Sequence, residues 1–174
     1  MTNNEKAKLP EVWMRGPVDN VPAMLQPVAH ALLQASEEVE AIMNNFPQQK
    51  LWENPSGMAS AAFHLQHIPG VIDRLFTYAY DRQLNNEQLK YLSEEGLEND
   101  KLKVADLVQY LQDRIQQTVA ELKTFDTTTL TDTRGVGRKR LPTTVMGLIF
   151  HAAEHTMRHV GQLLVTVAVV KGER

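Results

Sequence analysis

Four stretches of this 174-residue chain repeat apolar residues in alternating steps of three and four, a period that commits them to packed amphipathic helices. The first runs through Leu25, Val28, Leu32, Ala35, Val39, Ile42 and Phe46, and the second through Met58, Ala61, Leu65, Ile68, Ile72, Leu75 and Ala79. The third carries Val104, Val108, Leu111, Ile115, Val119, Leu122 and Phe125. In the fourth, Val145, Leu148, Ala152, His155, His159, Leu163, Thr166 and Val170, histidines occupy two positions where the stripe calls for apolar side chains. No strand-length alternation and no repeat of solenoid period competes with this pattern. The expected fold class is therefore all-α, a four-helix bundle forming one domain over residues 21–174, with an irregular lead-in over residues 1–20.

Proline, glycine and polar residues set the expected boundaries. Pro22 can open the first helix, and Pro27 either begins it or bends it. Ser56 is placed to cap the second helix, which Pro69 and Gly70 then interrupt and are expected to bend. Residues 81–100 are polar, with a short helix over 87–94 ended by Gly96, and read as a long crossover between the second and third long helices. Residues 127–140 hold a threonine run, Gly135, Gly137 and the basic cluster Arg134, Arg138, Lys139 and Arg140, an expected exposed loop before a fourth helix starting at Pro142. Within the lead-in, Trp13 is expected to pin the chain to the body.

Composition narrows the chemistry. With no cysteine, disulfides, thiolate-bound zinc and a protein thiol nucleophile are excluded, and any metal falls to His, Asp and Glu. A formal charge of −3, dispersed through the chain, gives no reason to expect nucleic acid or an anionic membrane as partner. The polar start MTNNEKAKLPEVW lacks the apolar run of a signal peptide, and no uninterrupted apolar segment reaches membrane-span length, so a cytoplasmic location is expected.

Five of the six histidines fall in two short windows. His151, His155 and His159 stand one turn apart, and since each four-residue step drifts by only about 40°, two neighbours can hold one ion between them. An imidazole left unpaired in an apolar core is unfavourable. His30, alone on the first helix, reads as a locally satisfied core or rim residue. His155 and His159 together read as metal ligands, the alternative being proton sharing with a glutamate or water. His64 and His67 form the second pair. By helical phase His64 lies about 40° from Ile68 on the core stripe and His67 about 100° away, and a bend at Pro69 can turn either inward. Three histidines with open positions suit catalysis better than a closed structural site. A zincin would need Glu after His155, where Thr156 stands, and a di-iron bundle would need Glu-x-x-His pairs, of which the chain has none.

The segments HIPGVIDRLFTYA and EHTMRHVGQLL resemble the two hallmark segments of the DinB/YfiT-like superfamily of small four-helix metalloproteins. Their usual pattern is a histidine on the second helix followed by an aspartate, then His-x-x-x-His leading into Gly-Gln. Here it falls on His67 with Asp73 behind it, and on His155 and His159 leading into Gly161 and Gln162; Val160 stands where an arginine often follows the last histidine. Similarity is expected from about Val21 to Val170. The resemblance implies metal ligands His67, His155 and His159 and a homodimer; imidazole ligands suit a divalent transition ion, Zn, Ni, Fe and Cu alike. It also implies a metal-dependent transferase that activates a low-molecular-weight thiol such as bacillithiol, mycothiol or glutathione for attack on an electrophile. Competing expectations are a non-catalytic metal-stabilised stress or binding protein and a metal-dependent hydrolase.

Residues around that set carry paired readings. His64 and His151 either face the substrate and support the ligands or are rim histidines, and Glu154 either orients an imidazole or is a solvated helix glutamate. The basic cluster either binds carboxylates of the thiol or is a solvated loop. Tyr78, Tyr80 and Trp52 either line a pocket or belong to the core.

Overall fold

The computed structural model describes residues 9–172. The four apolar stripes fold as four long helices, with Leu32, Ile72, Leu111, Ile115 and Leu163 among the side chains they bury completely. Burial on that scale contributes at most roughly 1.5–3 kcal/mol per large side chain before chain entropy is counted.

Helix α1 spans Gln26–Met43 and is entered through a 3-10 turn, Ala23–Leu25. Pro27 lies in its first turn, where a missing N–H costs no intrahelical bond, so the helix begins there. Helix α2 spans Ala61–Ala79 and runs on through Pro69 and Gly70. Its cap is Ser60, whose Oγ accepts from the Phe63 N–H at 3.2 Å. Ser56 does not cap it: that residue sits in a separate turn, Pro55–Gly57, at φ 53°, and Met58 lies outside the helix and exposed. A polar residue caps only where the chain enters the helix directly, and here that is one residue before the first buried alanine.

The crossover carries helix α3, Asn86–Glu94, closed at its start by a reciprocal pair of bonds between Asn85 and Gln88 and followed by Gly96 at φ 80°. Helix α4 spans Val104–Lys123. The segment expected as an exposed loop instead folds into a 3-10 turn, Thr127–Thr129, and an antiparallel hairpin of β1, Thr133–Val136, and β2, Leu141–Thr144. Pro142 lies in β2 opposite Gly135 and does not start the last helix. A two-stranded ribbon is all edge, so a residue without an N–H is tolerated in it.

Helix α5, Val145–Lys171, begins where Thr144 Oγ1 can accept from the Gly147 N–H at 3.0 Å. The Val145 and Met146 N–H groups donate back to the carbonyls of Asp132 and Leu130, so the hairpin lead-in satisfies donors that a helix start leaves open.

Helices α4 and α5 each pack against both α1 and α2, which places the four around one core, with the contact between α2 and α5 the most extensive. Residues 1–8 of the expected lead-in lie outside the described residues. In the rest, Trp13 is not the pin: it is 62% exposed and donates only to Glu11. Val12 is buried instead, its N–H bonded to Gln34 Oε1 and its neighbour Arg15 paired with Glu37. No helix among the described residues is long and apolar enough to cross a membrane.

Candidate metal centre

Helices α2 and α5 run past each other in opposite directions, so His64 faces His159 and, one turn further along α2, His67 faces His155. The donor atoms of His67, His155 and His159 all lie within 4.8 Å of one another. These are the three residues that the resemblance singles out. His67 Nε2 and His155 Nε2 are 3.1 Å apart. Two nitrogens bonded to one ion at about 2.1 Å would be separated by roughly 3.0 Å at a right angle and 3.4 Å at a tetrahedral one, so the observed spacing is that of neighbouring ligands.

The remaining nitrogens are arranged to aim the donors inward. His67 Nδ1–H donates to Glu95 Oε2 at 2.7 Å, and Glu95 is held in turn by Arg74. His159 Nδ1 lies 3.0 Å from His64 Nδ1, one of the two carrying the shared proton. Both rings thereby have Nδ1 occupied and Nε2 free towards the common point, the arrangement by which outer partners would fix the orientation and tautomer of a ligating ring. His155 Nδ1 is buried with no hydrogen-bond partner. An imidazole with one orphaned nitrogen and the other pressed against a second imidazole is poorly satisfied by the protein alone, which is what a site built for a cation requires.

Electrostatics point the same way. Burial, reinforced by the positive charge His67 would carry, lowers the pKa of His64 to about 4 and that of His159 to about 3. His155 is lowered by the same causes, burial first. His64, His155 and His159 are thereby biased to the neutral imidazole, the form that ligates metal.

The helical-phase reading located both histidines of α2 correctly in depth. His64 is 2% exposed and lies behind the three donors, whereas His67 sits at the core margin. Phe63 stacks on the His67 ring at 5.0 Å between centroids and also borders His159, so the aromatic face of the site comes from a residue not expected there. Tyr78 is core and Tyr80 packs on Phe125; Trp52 lies partly buried against the core.

Glu154 forms no hydrogen bond to His67, His155 or His159. It pairs with His151 Nδ1 at 2.6 Å and with Arg158, at the exposed edge of α5. Asp73 likewise turns away, towards Gln88 and Arg114. His30 bonds the Gly16 carbonyl, apart from the cluster. The basic cluster is not brought to the imidazoles either. Arg134 Nε donates to the carbonyl of Ala79, twelve residues or about 18 Å along α2 from His67. Arg140 pairs with Asp81, and Arg138 and Lys139 are exposed.

Beside His64 and Phe63 opens a groove of about 700 Å³, mostly apolar, between α5 and the turn before α2. Met58, Val165 and Val169 line it, as do Gly161 and Gln162, the pair that follows the last histidine.

The family described as the DinB superfamily matches residues 31–163. No curated protein matches the chain. Among solved structures, a protein titled as the conserved protein of a locus from Enterococcus faecalis is similar in fold, with a TM-score of 0.63 and 16% identity over 86% of this chain and 98% of that one.

Proposed function

The chain belongs to the DinB superfamily, and from that premise we propose that His67, His155 and His159 hold a divalent transition ion that activates a low-molecular-weight thiol for attack on an electrophile. The carrying observation is the convergence of three imidazole donors from two helices in a chain without cysteine. A divalent ion held by neutral ligands keeps its charge, and so favours a bound thiol as thiolate at neutral pH. The protein then needs no thiol of its own.

The chain's part is to bind, orient and exclude water. Glu95 and His64 hold two ligand rings in position, Phe63 covers one side of them, and the neighbouring groove has the size and apolar lining that suit a small organic electrophile. Zinc, nickel and iron all suit imidazole ligands, and the donor set does not discriminate among them.

The test is metal content and thiol conjugation of a panel of electrophiles in the wild type, His155→Ala and His159→Ala. Both variants are expected to lose bound metal and conjugation together. Unchanged metal content in both would remove the site. Loss of metal with conjugation intact would leave a metal-stabilised binding protein, and turnover without added thiol would mark a hydrolase.

A further inference from the structure

The crossover between α2 and α4 is fastened to α2 by side-chain hydrogen bonds along its length. Gln88 Nε2 donates to Asp73 and Thr77, the Tyr91 hydroxyl donates to the Gln66 carbonyl, and the Gly96 N–H donates to Gln66 Oε1. All of these contacts flank one residue, Glu95. Its side chain is 4% exposed, and its carboxylate accepts from both His67 Nδ1–H and the Arg74 guanidinium.

Gly70, one turn along α2 from His67, makes this approach possible. A methyl group there would overlap the Glu95 carboxylate, the Arg74 guanidinium and the Tyr91 ring. A helix-interior glycine costs about 1 kcal/mol relative to alanine, and here its return is the space into which the carboxylate is set.

We propose that Glu95 is the positioning residue of the metal centre: the crossover carries its carboxylate to His67 Nδ1, fixing the tautomer that leaves Nε2 free for the ion. This rests on His67 being a ligand. A buried carboxylate without a cation beside it would be unfavourable, and Arg74 supplies the cation, while the 2.7 Å contact sets the carboxylate to accept the Nδ1–H of His67. The reverse tautomer would place a proton on Nε2, where the lone pair must face the metal, and would leave the carboxylate facing a lone pair. Glu95 itself lies outside both hallmark segments, in a stretch that is otherwise a polar connection.

The test measures zinc affinity by competition with a chromophoric chelator, together with imidazole nitrogen NMR of the metal-free protein, in His67→Ala, Glu95→Ala, Glu95→Gln and Tyr91→Phe. His67→Ala is expected to abolish tight binding. Glu95→Ala and Glu95→Gln should weaken it roughly 10–100-fold, the range for an outer partner of a ligating histidine, and should move His67 from the Nδ1–H towards the Nε2–H tautomer. Tyr91→Phe loosens the same crossover without touching the carboxylate, and should leave both affinity and tautomer at the wild-type values. Glu95→Gln keeps the volume of the side chain and so stands in should the alanine variant misfold.

If His67→Ala still binds zinc tightly, the metal reading itself fails. If it does not, but both Glu95 variants retain wild-type affinity and tautomer, the role of Glu95 is overturned and the metal reading stands. An affinity loss in Tyr91→Phe equal to that in Glu95→Ala would also overturn it, by reducing Glu95 to a fastening of the crossover.

Discussion

Along α1 and α4 the bundle is mostly dry: Leu32, Ala35 and Val39 on one helix, and Leu111, Ile115 and Leu122 on the other, are buried with no polar side-chain atom to satisfy, and the buried Thr118 hydroxyl is bonded within its own helix to the Arg114 carbonyl. Along α2 and α5 four imidazoles and the Arg74 guanidinium, joined by the Glu95 carboxylate from the crossover, lie beside side chains as deeply buried as Ile68, Ile72 and Leu163. The two regions are made by one pattern and do opposite things. Periodicity reports which positions face inward, and says nothing of whether they are comfortable there. The dry half supplies stability, and the polar half carries an unfavourable burial that a bound cation would relieve.

If the halves are independent in this way, Ile115→Ala should destabilise the protein by about 2–5 kcal/mol, the usual cost of truncating a buried aliphatic side chain. The metal content of the folded fraction should not change. Denaturant unfolding with and without zinc measures the first, and metal analysis of the folded fraction the second. A collapse of metal binding in that variant would show that the two halves are one unit.

The comparison sharpens with pH. In the metal-free protein, the pKa of His64 is lowered to about 4 by burial first and by the charge His67 would carry, against about 6.5 in the unfolded chain. Well above pH 6.5 neither state binds the proton, and no penalty exists. As pH falls from 6.5 towards 4 the unfolded state binds more protons than the folded one, so stability declines, by of the order of 3 kcal/mol at pH 4 for this group alone. His64→Gln should flatten the slope of unfolding free energy against pH over that window; an unaltered slope would mean the histidine is not buried as described.

The smallest effect belongs to the hairpin end. Arg140 is exposed and its pair with Asp81 is 3.2 Å long at the surface, so Arg140→Ala should change stability by less than about 0.5 kcal/mol and leave zinc affinity alone. A marked loss of thiol conjugation in that variant would give the basic cluster the binding role that its position argues against.

The four helices were legible because burying a stripe leaves a period in the residues themselves. The pair His155 and His159 was legible for the same reason, since a polar residue on that stripe stands out. Boundaries were harder. Pro142 reads equally as a helix start or as an edge-strand residue, and only the pairing of β2 with β1 decides between them. Ser56 and Ser60 are both competent caps until the chain direction into α2 is known. Glu95 left no mark at all: a glutamate among glutamates in a polar crossover looks solvated, and nothing in its spacing reports that it ends 4% exposed against an imidazole. Phe63 was equally silent.

What the order of residues determined by itself was the count of long helices, which of their faces point inward, and the presence of histidines on two of those faces. These follow from local geometry, since 3.6 residues per turn is a property of every helix, whatever it packs against. Only the tertiary structure decided that His67 meets His155 while His64 stands behind His159, and that Glu95 rather than Glu154 reaches the His67 ring. Such meetings depend on the direction in which two helices pass and on where a crossover is laid down, and those are set by contacts among residues far apart in the chain.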